Sequence, residues 1–264
     1  MGPTELCERL ARTPEDRLLL RRVLDRAVAA ERKRIPCRTH FLTPREVALA
    51  RQLVSALGQP SHRFEGGYPE AERRVCVFLP DWLEPEDCAE EDLGISALRV
   101  TWYEEETLTH RDLLGALMGM GIRREMVGDL LVGEGSCDCI LLPEVLPYLL
   151  NNLTQAGRSR LKTARIPLEE VVVPQVHRKV IRATVSSLRL DAVAACGFGT
   201  SRAKLAGAIS AGRVALNGLE CTRPDHPVAE GDAISCRGMG KCRLTAAGGL
   251  SRKGRINITV ERYL

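Results

Sequence analysis

Aromatic side chains are scarce in this chain, with 2 Trp, 4 Tyr and 4 Phe among 264 residues. That scarcity weighs against base recognition by rows of stacked rings. Long apolar runs are missing as well, and no stretch approaches the ~18 residues a membrane span needs. The N-terminus carries an acid at Glu5 and no apolar run behind it, so an export signal is not expected and a cytoplasmic location is. Of the 10 cysteines, none forms a Cys-x-x-Cys, and neither Cys137 with Cys139 nor Cys236 with Cys242 has zinc-knuckle spacing. Reduced thiols serving as small buried hydrophobes are expected, with no metal and no cofactor. No P-loop and no Gly-x-Gly-x-x-Gly after a strand is present, which argues against nucleotide or methyl-donor binding. Acidic runs such as Glu90-Glu91-Asp92 and Glu104-Glu105-Glu106 read as solvated loops, and no His or Cys stands at a spacing that would recruit them to catalysis.

What the chain does have is a divided charge. Residues 157–264 hold 19 Lys+Arg against 8 Asp+Glu, whereas residues 1–156 hold 19 against 26. A cationic excess confined to one end points to a polyanionic partner met by that end. The acidic part reads as solvated surface, or as a docking surface for a protein partner.

Helix signals come early. Thr13-Pro14-x-Asp16 and Thr43-Pro44-x-Glu46 each offer a capping hydroxyl, proline at the first helical position and an acid three residues past the cap, predicting helices over 14–34 and 44–57 closed by Gly58. A strand is predicted over 75–79. A middle unit follows with strands over 98–103, 129–132, 137–142 and 168–173 and helices over 110–120 and 144–153. Strand-helix-strand-strand-helix-strand is the order of the RNA-recognition-motif (RRM) fold. Its third-strand candidate, Cys137 to Leu142, carries no aromatic, and Trp102 and Tyr103 alternate faces, so one belongs to the core. Arg123 and Arg124 are its better candidates for RNA contact. Residues 157–182 read as a basic connector in which Arg158 and Arg160 could meet phosphate.

The C-terminal part is the most specific. Ser187-Leu188-Arg189-Leu190-Asp191 opens a short helix, Gly199-Thr200-Ser201-Arg202-Ala203-Lys204 starts a second, and Gly212-Arg213-Val214-Ala215-Leu216-Asn217-Gly218 ends it in a two-residue hairpin signal. Leu205 and Ile209 are i,i+4 neighbours fit for a core, which leaves Ser201, Arg202 and Lys204 to solvent at a helix start whose free amides favour phosphate. Arg213 follows directly, and Asn217 sits in the hairpin. Arg237 and Lys241 flank a glycine-flexible turn, and Arg252, Lys253 and Arg255 make a second cationic turn. These side chains are expected to share one face.

The block from Ser187 to the end resembles the S4 domain, an RNA-binding module, over about eighty positions. The whole chain resembles the YlmH family of bacterial S4-domain RNA-binding proteins. That resemblance rests on Gly66-Gly67-Tyr68-Pro69-Glu70-Ala71-Glu72-Arg73, on His110-Arg111-Asp112-Leu113-Leu114-Gly115-Ala116-Leu117-Met118-Gly119, on Gly121-Ile122-Arg123-Arg124-Glu125, on Asn152-Leu153-Thr154 and on the C-terminal block. It implies an α+β chain in three parts: a helical N-terminal domain (1–74), an RRM-like middle domain (75–156) with a basic linker and closing strand (157–182), and an S4 domain (183–264). It also implies a non-enzymatic protein bound to ribosomal RNA of the large subunit, with peptidyl-tRNA nearby, in the handling of stalled subunits. The rival reading is an RNA-modifying enzyme, because Arg189-Leu190-Asp191 matches the tripeptide holding the catalytic Asp of pseudouridine synthases. Here the tripeptide opens the S4 module itself, and too few residues follow it for a catalytic domain.

Overall fold

Proline, whose fixed φ suits a first helical turn, starts three N-terminal helices in the computed structural model: α1 (Pro3–Leu10), α2 (Pro14–Lys33) and, after the short strand β1 (Cys37–Arg38), α3 (Pro44–Leu57). The structure describes residues 2–103, 106–175 and 177–263, so Glu104 and Glu105 of the acidic run lie outside it. Thr13 and Thr43 accept the backbone N–H of Asp16 and Glu46 as the cap pattern requires, and Glu46 closes a capping box by accepting from Thr43 N. The sequence reading provides for only two of these helices. α1 has no side-chain cap hydrogen bond and therefore no cap signature.

Strands β2 (His62–Glu65) and β3 (Val75–Phe78) complete a three-stranded antiparallel sheet with β3 in the centre. All four residues of β3 are buried, and the pleat explains why. Cys76 and Phe78 point into the core made with α1, α2 and α3, while Val75 and Val77 point into a second core shared with the middle sheet. The predicted strand over 75–79 thus belongs to the N-terminal sheet and does not open the middle one.

The middle sheet is built from β4 (Ser96–Thr101), β5 (Val127–Val132), β6 (Ser136–Leu141) and β9 (Lys162–Ile166), in the antiparallel order β5-β6-β4-β9. Helices α4 (His110–Gly119) and α5 (Leu146–Asn152) pack on one side over Leu98, Val100, Cys139 and Leu141. A small hairpin, β7 (Gln155–Ala156) with β8 (Ser159–Arg160), leads into β9. The closing strand is therefore β9 and not 168–173. Pro167 follows β9 and lacks the N–H to continue a ladder, and Leu168–Glu170 is a 3-10 turn. Most of 157–166 is consequently strand rather than linker, anchored by buried Ser159, Leu161 and Ile166.

The second side of this sheet is covered by the first sheet. Ala97, Ile140 and Leu142 meet Phe41, Val75 and Val77, and Leu168 and Val171 join them. Packing is close enough that a Cβ on Gly128 would lie 2.8 Å from the Phe41 ring. Trp102 is core, its indole N–H donating to Glu106 O, and Tyr103 is exposed. A sheet face of this kind has no room for stacked bases.

A separate compact unit runs from Gln175 to Leu264. Its strands β10 (Arg178–Val185), β11 (Val214–Leu216), β12 (Leu219–Glu220), β13 (Ala233–Cys236), β14 (Gly240–Leu250) and β15 (Ile256–Tyr263) form one antiparallel sheet in the order β10-β15-β14-β13-β11-β12. Helices α6 (Leu190–Phe198) and α7 (Arg202–Ser210) lie against one face, on Cys242, Leu244, Ile258 and Val260. Burying side chains of this size contributes roughly 1.5–3 kcal/mol each. No helix among the described residues is long and apolar enough to cross a membrane.

Candidate nucleic-acid interface

Helix α6 ends at Gly199, which takes the left-handed conformation (φ 63°), and the chain turns within two residues into α7. Ser201 caps α7, its Oγ accepting the Lys204 N–H at 3.2 Å while its own hydroxyl hydrogen stays available. Leu205, Ala208 and Ile209 are buried, so the first turn of α7 presents Arg202 and Lys204 outward.

Arg202 is held from beneath. Asp191, only 3% exposed on the first turn of α6, accepts from Arg202 Nε at 2.9 Å and from both Nε and a terminal nitrogen of Arg189 at 3.3 and 3.2 Å. Burial alone would raise the Asp191 carboxyl, but the hydrogen bonds and charges of Arg202 and Arg189 outweigh it and hold the group below the usual carboxylate range. Leu190 is fully buried, and the N–H groups of Leu190 and Asp191 donate to His226 O and Pro224 O, which fastens the 224–228 loop to the helix start. The Arg-Leu-Asp tripeptide therefore works as a brace: a packed Leu and a carboxylate closed over by two guanidinium groups.

The other predicted residues fall into distinct groups. Arg213 and Arg237 sit side by side where β11 and β13 begin and end, the Arg237 N–H donating to Arg213 O at 3.0 Å. Asn217 takes a left-handed φ of 50° beside Gly218 at 85°, the geometry of a type I′ turn. Its amide is committed to that turn, donating to Asp232 Oδ1 at 2.7 Å and accepting the Ala233 N–H at 2.9 Å. Asn217 therefore shapes the hairpin and has little left to offer a ligand. Arg255 donates to Thr184 O on the edge strand β10, while Arg252 and Lys253 are exposed at the tip of the β14–β15 hairpin.

The expectation of one shared face needs correction. In the β13-β14-β15-β10 register, Ser235, Lys241, Tyr263 and Arg178 stand in one row, and their neighbours Ile234, Cys242 and Arg262 alternate to the helix-covered side. Lys241 thus lies on the side of the sheet opposite α6 and α7. Sequence spacing cannot reveal this, because strand register is fixed by pairings across the sheet. The same register brings Arg182 and Arg243 to the outer side, residues outside the sequence expectation. The Arg-x-x-x-Arg alternation of β10 is the signal that could have found them.

Four predicted cations belong to the first unit. Arg158 and Arg160 are exposed on the β7–β8 hairpin. Arg123 is exposed and paired with Glu125 at 3.0 Å. Arg124 is turned inward, donating to Val127 O and Gly128 O, where it serves the fold instead of a ligand. The Gly66-to-Arg73 motif is structural too. A Cβ on Gly66 would strike Ala71 at 2.4 Å; Tyr68 Oη donates to Asp129 at 2.9 Å, and Arg73 donates to the carbonyls of Val127, Phe41 and Arg124. No group of His, Cys, Asp and Glu fit to hold a metal exists among the described residues.

Three family models match the chain: "YlmH, N-terminal" over 15–85, "Putative RNA-binding domain in YlmH" over 88–170, and the S4 domain over 188–234. A curated relative, the ribosome-associated protein quality control protein P2 of Bacillus subtilis (strain 168), is 36% identical over 225 residues, covering 85% of this chain and 86% of its own. A solved structure described as the cell division protein ylmH from Streptococcus pneumoniae aligns with a TM-score of 0.52 at 22% identity, covering 61% of this chain and 96% of that one. At that identity the likeness is one of fold.

Proposed function

The chain belongs to the YlmH family, and from that premise we propose that it is a non-enzymatic RNA-binding protein that docks on the ribosome through its S4 module. The observation that carries this reading is the first turn of α7, where Lys204 and the Asp191-braced Arg202 stand at a helix start in which Ser201 Oγ caps the Lys204 N–H and the positive end of the helix dipole faces outward. A phosphate there meets an Arg202 side chain already ordered on Asp191 before binding, which favours affinity. The unit from Gln175 onward holds 15 Lys+Arg against 6 Asp+Glu, a field that attracts folded RNA from any approach. The name of the Bacillus relative, a ribosome-associated protein quality control protein, supports ribosome association. The finer reading, ribosomal RNA of the large subunit with peptidyl-tRNA nearby in handling stalled subunits in the cytoplasm, is part of the proposal and rests on the family resemblance. Asp191 supports binding without chemistry, since its carboxylate is buried and doubly paired rather than presented to a substrate.

The test is co-sedimentation with salt-washed ribosomal subunits. Lys204→Glu with Arg213→Glu is the informative pair, because a Glu at 202 would face the buried Asp191 and unfold the site. We expect binding at least ~100-fold weaker for two reversed charges; wild-type co-sedimentation at moderate salt overturns the proposal. A second reading, that the acidic first unit docks a protein partner, is favoured by the exposure of Ile35 (52%) and Trp82 (61%). Pull-down with Trp82→Ala tests it, and an unchanged set of partners rejects it.

A further inference from the structure

Among the described residues the six-stranded sheet has helices on one face only, and its other face carries cations interspersed mainly with small and hydroxylated residues. Opposed residues in an antiparallel sheet share a face, so the register fixes the outer side row by row. Arg178, Tyr263, Lys241 and Ser235 form one row, Val180, Glu261, Arg243 and Ala233 the next, then Arg182, Thr259 and Ala246, then Thr184, Asn257 and Gly248. Their alternate neighbours Val185, Cys242, Leu244, Ile258 and Val260 are all buried under α6 and α7, so the assignment of sides is unambiguous.

This outer side carries Arg178, Arg182, Lys241 and Arg243 against two acids among the described residues: Glu261, which pairs with Arg178 at 3.4 Å, and Glu220 on the far edge strand β12, in the row of Ser235 through Ala215. Arg182 and Arg243 form no ion pair among the described residues; Arg182 is exposed, whereas Arg243 is half-buried and its Nε is a buried atom without a hydrogen-bond partner. Arg178 and Lys241 are steadied on the Tyr263 ring, 5.2 and 5.4 Å from its centroid. Between the cations lie small or hydroxylated residues, and the surface runs on to Arg252 and Lys253 at the hairpin tip. Strand spacing of about 4.8 Å puts the Arg178 and Lys241 backbones about 10 Å apart, while four residues along β10 put Arg178 and Arg182 about 13 Å apart. Such a flat cationic lattice matches a phosphate backbone. It lacks the apolar centre of a protein interface, since among the described residues Val180 is its one large exposed apolar side chain.

We propose that the open face of this sheet is a second RNA-binding surface, one that takes the phosphate backbone of an RNA segment other than the one seated on α7. The proposal rests on the reading of the module as RNA-binding. The two surfaces are separated by the thickness of the helix–sheet sandwich, so the module would clasp two RNA segments at once and hold them in a fixed relation. Binding here would be tolerant of sequence, because cations and hydroxyls reach phosphate and sugar, and the one aromatic is already occupied by its flanking charges.

The probe is a short RNA hairpin, titrated into the full-length protein at low salt and counted by native mass spectrometry. Wild type should bind two hairpins per chain. Arg182→Glu with Lys253→Glu should bind one, and Lys204→Glu with Arg213→Glu should also bind one. Melting temperatures establish that each variant folds; should the Glu pair unfold, Arg182→Gln with Lys253→Gln must still weaken the second event by at least threefold. A single hairpin on wild type, or two on the Arg182/Lys253 pair with unchanged affinities, overturns the proposal and leaves the α7 reading intact. Two hairpins on the Lys204/Arg213 pair instead refute the α7 reading while the sheet face stands. If the Arg182/Lys253 pair loses ribosomal subunits yet still binds two hairpins, the face takes an acidic protein and the proposal fails.

Discussion

The four-stranded middle sheet and the six-stranded C-terminal sheet are both antiparallel, both backed by two helices, and both studded with arginine. They differ in what lies on the second face. The middle sheet is roofed by β3 and by the 168–172 segment, and there Arg99 is drawn into a bidentate pair with Asp138 at 2.7 Å for each contact. Asp138 also accepts the Val172 N–H at 2.8 Å, and Arg99 donates to Glu170 O, so this pair pins the roof in place. The C-terminal sheet has no such roof, and Arg182 and Arg243 remain without acids. For these arginines cover makes the difference: where backbone passes overhead the Arg99 guanidinium satisfies it, and where none does Arg182 and Arg243 are left without an acid among the described residues.

The sharpest way to break this comparison is Asp138→Ala. It leaves Arg99 and the Val172 N–H without their acceptor in a site where the carboxylate is 3% exposed, and should cost about 3 kcal/mol in urea denaturation. A loss under ~1 kcal/mol would show that the roof is held by its apolar contacts alone. Asp191→Asn comes next, at about 2 kcal/mol, discounted because its partners Arg189 and Arg202 are 39% and 48% exposed. Its sign with pH is fixed. A carboxyl held low in the folded state adds stability above its unfolded pKa near ~3.9 and loses it as pH falls through the folded value. Stability curves of wild type and Asp191→Asn should therefore run apart at neutral pH and converge in acid; parallel curves would mean the arginines do not stabilise the charged form.

Asn217→Ala should cost about 1 kcal/mol in a thermal melt, through the two lost hydrogen bonds and the left-handed φ, with RNA affinity unaltered. A clear loss of affinity at unchanged stability would return Asn217 to the interface. The smallest effect separates an exposed cation from a committed one. Lys204→Gln should shrink the slope of log affinity against log salt by about 0.7, and Arg124→Gln should leave it unmoved. Equal slopes for both would erase the distinction drawn between the two units.

Local signals carried well from sequence to structure. Thr13, Thr43 and Ser201 each cap the helix whose start they mark, and Asn217-Gly218 makes the turn its residue types demand. The exposed first turn of α7 was legible for the same reason, since it follows from a cap and an i,i+4 apolar pair. Whatever depended on distant pairing was not. The partner sheet of β3, the choice of β9 over 168–173 as closing strand, and the side of the sheet on which Lys241 falls are each decided by residues far along the chain. Arg124 and Asn217 show a further limit: a cation or amide in a promising stretch gives no hint from its neighbours that nearby backbone will claim it.

β3 has a consequence for how the protein is made. With apolar side chains on both faces, it can be half covered as soon as the N-terminal helices exist, but Ile140, which meets its other face, follows Phe78 by 62 positions. At translation rates of about 5–20 residues per second the nascent chain carries an uncovered apolar ribbon for roughly 3–12 s. Truncations that stop short of β6 would freeze the chain at that stage, so shortened forms should precipitate or bind holdase chaperones, whereas a cut near residue 174 removes no layer from either core.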